Sequence, residues 1–448
     1  MYNKDQIYVF INKALGFAAG YQAQVAVSSS AEGLSRIANS EIHQNVFEDR
    51  TSLAVTIIAS HKTSSISTNV LSDEGIQAAV AEAIANLALL PDGEETMPLV
   101  SEPKEMETRR FSQELHDKFT VETRAQLVAE GLSSITEPYK AFGQLSYRRS
   151  ASGMGNSAGI RRYSDGNSVR FTLLISDDLG GTGYANMSAD SLDAVDMAGT
   201  FAIAKAKAEA NKNPIELEPG AYTVILEPLA VNNLLGTMMR AFNGGMVNNK
   251  MSPLTDKIGE KVFSEKLTVV DDWTSPYSPG LAFDGEGTPR TKLTLIEQGV
   301  AKDLAYDQAS AKKAGTTTTG HAGGGAGRRG GASPANVIVS PGEKTLAEII
   351  AGTEKALLVT RFHYMNPVNM RQAILTGITR DGFFLVENGK ITKAVRNMRF
   401  TESMLIAMNN IEEISSDRKR TGASFIPGMK INGFHFTGKT SFSDTGEE

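Results

Sequence analysis

Apolar residues in this chain recur with two spacings. Where they return every three or four positions, one face of a helix is predicted. Ile76, Ala79, Val80, Ala83, Ile84 and Leu87 do so. Ser72 stands before them as an N-cap, Asp73 and Glu74 meet the helix dipole, and Pro91 ends the run. Leu127, Val128, Leu132 and Ile135 predict another helix beginning near Thr120, a short amphipathic helix opens the chain, and an Ala-rich helix is expected over 189–210. Where apolar and polar residues alternate, short strands are predicted. They fall at 22–28, 34–37, 42–47 and 52–59, then at 142–150, 160–163 and 169–175, with Asp165-Gly166-Asn167 as the turn between the last two.

Asn211-Lys212-Asn213-Pro214 and Pro219-Gly220 interrupt both patterns and mark a domain junction. Beyond it hairpins dominate. Strands at 293–296 and 300–305 flank Gln298-Gly299, and strands at 373–379, 383–387 and 391–395 are joined by Asp381-Gly382 and Asn388-Gly389. The last two dipeptides suit two-residue turns that need positive φ, so a three-stranded meander is expected. The predicted fold class is α+β in two domains. Residues 1–213 form an N-terminal α+β domain with an antiparallel sheet and helices, and residues 214–448 a C-terminal β-rich domain with hairpin meanders. After Pro228, Val231, Leu234, Leu235, Met238, Met239 and Phe242 make a wide apolar stripe, with Asn232, Asn233, Thr237 and Arg240 off it. That pattern describes a core-packed helix, and its Met content also suits a protein–protein contact.

Composition narrows the function classes. Lys+Arg 45 against Asp+Glu 51 gives a net charge of −6, a poor basis for a dedicated nucleic-acid binder. Cysteine is absent, which excludes disulfides, Cys-ligated zinc and thiol nucleophiles. The N-terminus shows no basic stretch followed by an apolar one, so no signal peptide is expected. The longest apolar runs, such as 53–59, fall far short of the roughly 20 residues of a membrane span. A cytoplasmic protein, bound to neither membrane nor nucleic acid, is expected.

Candidate chemistry is sparse. The six histidines, His43, His61, His116, His321, His363 and His435, never fall within five residues of one another, which closes the helical zinc motifs. Asp271-Asp272, Asp284 and Glu286 could hold Mg²⁺ or act as acid and base. Carboxylates at strand ends more often close turns through Asx-type hydrogen bonds, and that role is expected here. The run GHAGGGAGRRGG at 320–331 has no Lys-Ser/Thr pair for a phosphate cradle and reads as a mobile surface loop. No catalytic, cofactor-binding or metal-ligating residue is assigned.

The run PGAYTVILEPLAVNNLLGTMMRAF (219–242) resembles the TldD/PmbA family, once described as modulators of DNA gyrase. The likeness continues through KIGEKVFSEKLTVVDDW (257–273), FDGEGTPRTKLTLIEQGVAKDLAYD (283–307) and TGITRDGFFLVENGKI (376–391), and more weakly through LSRIANSEIHQ (34–44). The resemblance implies one of two kinds of subunit. One kind resembles a zinc metallopeptidase, with HExxxH on the helix after the first of these strands and a Cys ligand near the C-terminus. The PmbA-like kind lacks that motif and pairs with the first. A gapless alignment from Pro228 puts Gly236 and Thr237 at the His-Glu positions and Ala241 at the second His. Gly and Ala carry no donor atom, so this helix is not expected to hold zinc in the family's way. A large side chain at Gly236 is expected to overpack the neighbouring stripe.

The resemblance therefore implies a PmbA-like, non-catalytic subunit of a cytoplasmic metallopeptidase complex acting on unfolded or modified peptides, with no cofactor of its own. Its expected partners are an HExxxH-bearing TldD-like subunit, or a second copy of itself, and an extended peptide held by main-chain hydrogen bonds. The alternatives are a stand-alone homodimeric peptide-binding or regulatory protein of the gyrase-modulator type, and an enzyme using Asp271, Asp272, Asp284 or Glu286.

Overall fold

A computed structural model describes residues 1–91, 96–277, 280–325 and 331–440. Two sheets organise them. The first runs in the order Lys62–Thr68, Glu41–Ala59, Gln22–Ala38, Lys140–Asn156, Arg161–Ser176. Beyond Arg161–Ser176, two strands share one edge: Glu105–Arg110 lies parallel to residues 161–166, and Thr182–Ala189 antiparallel to 169–176. Strict alternation gives this sheet one apolar face. Val25, Leu145, Tyr147, Ala151, Tyr163, Phe171 and Leu173 are buried there. The helices Lys4–Phe17 and Asp73–Leu89 cover one end of that face, and Val121–Ser133 and Met197–Ala210 the other. The cap anticipated at Ser72 is present, accepting from the Gly75 amide, and the helix expected to begin near Thr120 is capped by Thr120 itself, which accepts from the Thr123 amide.

Several anticipated breaks do not occur. Residues 22–38 and 41–59 are two long strands, not four short ones, joined at Asn39 and Ser40, both with positive φ. The Ser-rich middle of Gln22–Ala38, with Gly33, is paired on both sides, to Glu41–Ala59 and to Lys140–Asn156, and those ladders override its weak strand propensity. Asp165-Gly166-Asn167 is likewise not a turn. Gly166 sits between Ser150 and Arg110 in the middle of a ladder. The Ala-rich helix begins only at Met197, capped by Asp196, because a strand runs to Ala189 and residues 190–196 form the turn that links the two.

The second sheet draws its eleven strands from residues 220–439. Five of them close on themselves. Gly220–Leu226 pairs with Lys355–Asn369, then follow Ile374–Glu387, Met398–Ser403 and Ser424–Lys439, and the last pairs back to Gly220–Leu226. Phe362 and Phe434 lie on strands that are not neighbours in this ring, yet their aromatic centroids are 5.9 Å apart, so they meet across its interior. Phe383, Phe400 and Phe436 complete that core. The meander expected here exists only in part. Asn388-Gly389 is a true hairpin turn with φ of 48° and 76°. Asp381-Gly382 is not: Ile374–Glu387 runs straight through it, with one extra residue bulging out between the pairs Val359–Phe383 and Arg361–Arg380. The bulge absorbs the positive φ that the dipeptide offers.

The polar face of the first sheet turns toward the second half of the chain. Gln24 Nε2 donates to the Gly285 carbonyl (2.9 Å), and the fully buried Arg162 donates to the Gly287 carbonyl (2.9 Å). Farther along, Lys207 pairs with Glu227 (2.6 Å), and the Arg361 guanidinium, held by Asp381, stacks 4.4 Å from the Tyr184 ring centroid. Among the described residues no helix is long and apolar enough to cross a membrane.

Candidate functional site

Pro228 opens the helix Pro228–Met238, and a 3₁₀ turn, Met239–Phe242, continues it. The predicted stripe is buried throughout, at Val231, Leu234, Leu235, Met238, Met239 and Phe242. The helix packs on the ring, and Asn233 accepts a hydrogen bond from the Phe362 amide (3.1 Å). Thr237, Met238 and Ala241 line a small cleft with Pro253, Met370, Ala373, Leu375 and Met404. Its wall is methyl, methylene and thioether, with one hydroxyl. These residues do not fit a catalytic zinc, which takes imidazole, carboxylate or thiolate donors. Gly236 corrects an expectation: it is exposed, and a Cβ there would meet nothing within 4 Å. A larger side chain at 236 points away from the packed stripe and does not overpack it.

The four singled-out carboxylates divide. Asp272 stays near the surface, accepting from the Thr274 amide and hydroxyl and pairing with Lys292. Asp271, Asp284 and Glu286 are buried in one region, with Arg290, Asp307 and His321. Asp284 closes its own turn as anticipated, accepting from the Glu286 and Thr288 amides (both 2.9 Å), and its other oxygen takes the Ala322 amide (2.9 Å). Gly285 has to be glycine, because a Cβ would lie 2.3 Å from the Gly324 carbonyl oxygen.

Asp271 accepts from the Ala335 amide (2.5 Å) and from the Asn336 amide and side chain (3.2 Å each). His321 Nδ1 donates to the Thr319 carbonyl (2.8 Å), which leaves Nε2 facing Asp271 at 3.5 Å, an ion-pair separation too long for a good hydrogen bond. Burial would raise the Asp271 carboxyl, but His321 and the two amides outweigh it and hold it below the ordinary value. Burial raises Asp284. Burial, then the neighbouring Asp284 and Asp307, push Glu286 up to about 7. Arg290 lies within electrostatic reach of both Asp271 and Asp284, and burial lowers it.

This cluster is inaccessible. Its hydrogen bonds tie Ala322 to the turn at Asp284 and Ala335 and Asn336 to the strand end at Asp271, which is a structural task. It also corrects the reading of 320–331: Gly320, His321 and Ala322 are buried, while Arg328 and Arg329 lie outside the described residues. Among the described residues no three His, Asp or Glu side chains converge to hold an ion. Sequence reasoning passed over His321, Arg290 and Asp307. The available signal was density, since Asp284, Glu286 and Arg290 fall within seven residues.

A family model described as the PmbA/TldA metallopeptidase C-terminal domain matches residues 219–438, and the model for domain 1 of these metallopeptidases matches 23–87. The chain belongs to the PmbA/TldD family. A metalloprotease TldD homolog of Buchnera aphidicola is 31% identical over 175 residues, 38% of this chain and 35% of that protein. Metalloprotease PmbA of Escherichia coli O157:H7 is 28% identical over 235 residues, 49% of this chain and 48% of that protein. The chain thus spans about half, or less, of the length of these curated relatives. TldE from Thermococcus kodakarensis shares the fold, with a TM-score of 0.84 at 20% identity, over 96% of this chain and 99% of that one. So does a Thermotoga maritima protein described as a candidate modulator of a DNA gyrase, with a TM-score of 0.82 at 20% identity, over 96% and 100%. A PmbA/TldD-family chain with this architecture is metallopeptidase-like in fold. Its donor-poor helix is a property of its own sequence.

Proposed function

We propose that this PmbA/TldD-family chain is a PmbA-like, non-catalytic subunit of a cytoplasmic metallopeptidase complex. Its partner is a TldD-like subunit that carries HExxxH, and the complex acts on unfolded or modified peptides. The observation that supports this most is the cleft beside Pro228–Met238, where Thr237 and Ala241 stand at two of the motif positions among Met238, Met370 and Met404, while Gly236, at the third, is exposed and carries no donor. Such a wall offers apolar contact and no ligand or general base, which suits a subunit that shapes a channel for its partner's chemistry. The peptide would be read by main-chain hydrogen bonds at a sheet edge, a mode indifferent to sequence. Lys62–Thr68, paired on one side only, is such an edge.

The test is hydrolysis of an unfolded peptide by this chain, by an HExxxH paralogue, and by their mixture. Cleavage should be slow or absent with this chain alone and strongest in the mixture. Zinc-dependent cleavage by this chain alone would overturn the assignment.

A further inference from the structure

A second cleft lies between the polar face of the first sheet and the hairpin that joins Ile411–Thr421 to Ser424–Lys439. Four guanidinium groups line it, from Arg110, Arg148, Arg170 and Arg420, against two carboxylates, Asp165 and Asp190. Both carboxylates are already engaged. Asp190 pairs with Arg420 (2.5 Å), and Asp165 pairs with Arg109 (3.0 Å) on the flank of the cleft. Arg110 reaches the Trp273 carbonyl through Nη2 (2.8 Å), but its Nε is buried with no hydrogen-bond partner. Among the described residues Arg148 and Arg170 make no hydrogen bond and no ion pair. The cleft is therefore a positive concavity in a chain whose net charge is −6.

The register sharpens the point. Arg148 stands directly opposite Ser168, and Arg170 is two residues on along the same strand, so the two cations are diagonal neighbours on one face. Like charges at such positions repel. Glu32 lies across from Arg148 on the other side, and no ion pair forms between them. Two adjacent, uncompensated arginines cost stability unless an anion comes to sit between them, and planar guanidinium groups match a carboxylate through paired N–H donors.

We infer that this cleft binds the carboxylate of an extended peptide, its C-terminus above all, with Arg148 and Arg170 as the primary contacts and Arg110 and Arg420 framing them. The inference rests on the peptide reading of the preceding section and adds an anchor and a polarity to it. The serine-lined strands around the arginines hold the wall polar, and a wall with no aromatic side chain gives nucleobases nothing to stack on.

The experiment measures binding of a labelled unfolded peptide to this chain alone, with no partner subunit. A free C-terminal carboxylate should bind at least about tenfold more tightly than the C-terminal amide of the same peptide. R148Q/R170Q should abolish that difference while melting no lower than the parent, since both side chains are exposed and unpaired and the change removes their mutual repulsion. Equal binding of acid and amide forms would overturn the inference. So would saturation by inorganic phosphate, or by a single-stranded oligonucleotide, with no peptide bound. Because the readout is binding to one chain, the result stands apart from the cleavage test: a mixture that cleaves while the acid–amide difference is absent sinks the cleft and spares the subunit reading, and the converse sinks the subunit reading alone.

Discussion

Glu286 holds its proton because it is buried among other carboxylates, and that makes it a pH-dependent liability. Its folded value of about 7 lies above the ordinary 4.5 expected once unfolded. Below pH 4.5 both states are protonated and nothing is lost. As pH rises from there to about 7, the unfolded chain releases the proton while the folded chain keeps it, so stability falls by up to roughly 3 kcal/mol. E286Q should flatten that slope and be more stable than the parent above pH 7, while its amide oxygen still accepts from Gln308. Urea midpoints taken between pH 5 and 8 would show it, and parallel curves for the two proteins would refute the assignment. Gly236 makes the opposite kind of residue. It sits exposed in a helix with open space beside it, so G236A should stabilise by about 0.4–1 kcal/mol, read as a rise in melting temperature. In the triple change G236H/T237E/A241H the strain falls on buried Ala241, where a His should cost about 1–3 kcal/mol, and not on Gly236. The variant should still show no zinc-dependent cleavage, since a third protein ligand is missing from the cleft and Ala241 is buried. Peptidase assays with added zinc check that.

At the scale of elements, three dipeptides that look alike in sequence have three different fates. Asn388-Gly389 turns a hairpin, Asp381-Gly382 bulges within a strand, and Asp165-Gly166 runs straight through a ladder. What separates them is their pairing partners, Ser150 and Arg110 for Gly166 and the segment 359–361 for Asp381-Gly382, not local propensity, so no short window around the dipeptide could tell them apart. Helix starts were legible, because Ser72 and Thr120 act on amides three residues on. The stripe after Pro228 was legible for the same reason, since its period is local. The buried cluster was not: His321 reaches Asp271 across fifty residues, and a lone histidine carries no spacing signal. The bulge gives a direct test. A Cβ at Gly382 would lie 2.6 Å from Thr360 Oγ1 on a backbone with φ of 123°, so G382A should cost about 1–3 kcal/mol in denaturant melts. A neutral result would mean that the bulge can relax into a regular ladder.

For the molecule as a whole, charge and closure matter most. The net charge of −6 predicts duplex DNA binding weaker than micromolar near physiological salt, because one small arginine-lined cleft in an acidic chain can neutralise few of a duplex's phosphates. Tight, salt-sensitive binding in a filter or anisotropy assay would restore a direct role in DNA metabolism. The ring of strands has a further consequence, in the time the chain takes to be made. Its opening strand, Gly220–Leu226, pairs with Ser424–Lys439, the last strand described, and roughly 200 residues separate them. At about 5–20 residues per second, the ribosome leaves the first strand unpaired along that side for some 10–40 s. Until Ser424–Lys439 has been made, Val224 and Leu226 and the helix that follows them have no finished core to enter. The first sheet, complete by Ala189, can fold outside the ribosome while the ring waits. A chain in production is thus half native and half apolar tether, and it is the nascent second half that a chaperone would have to hold.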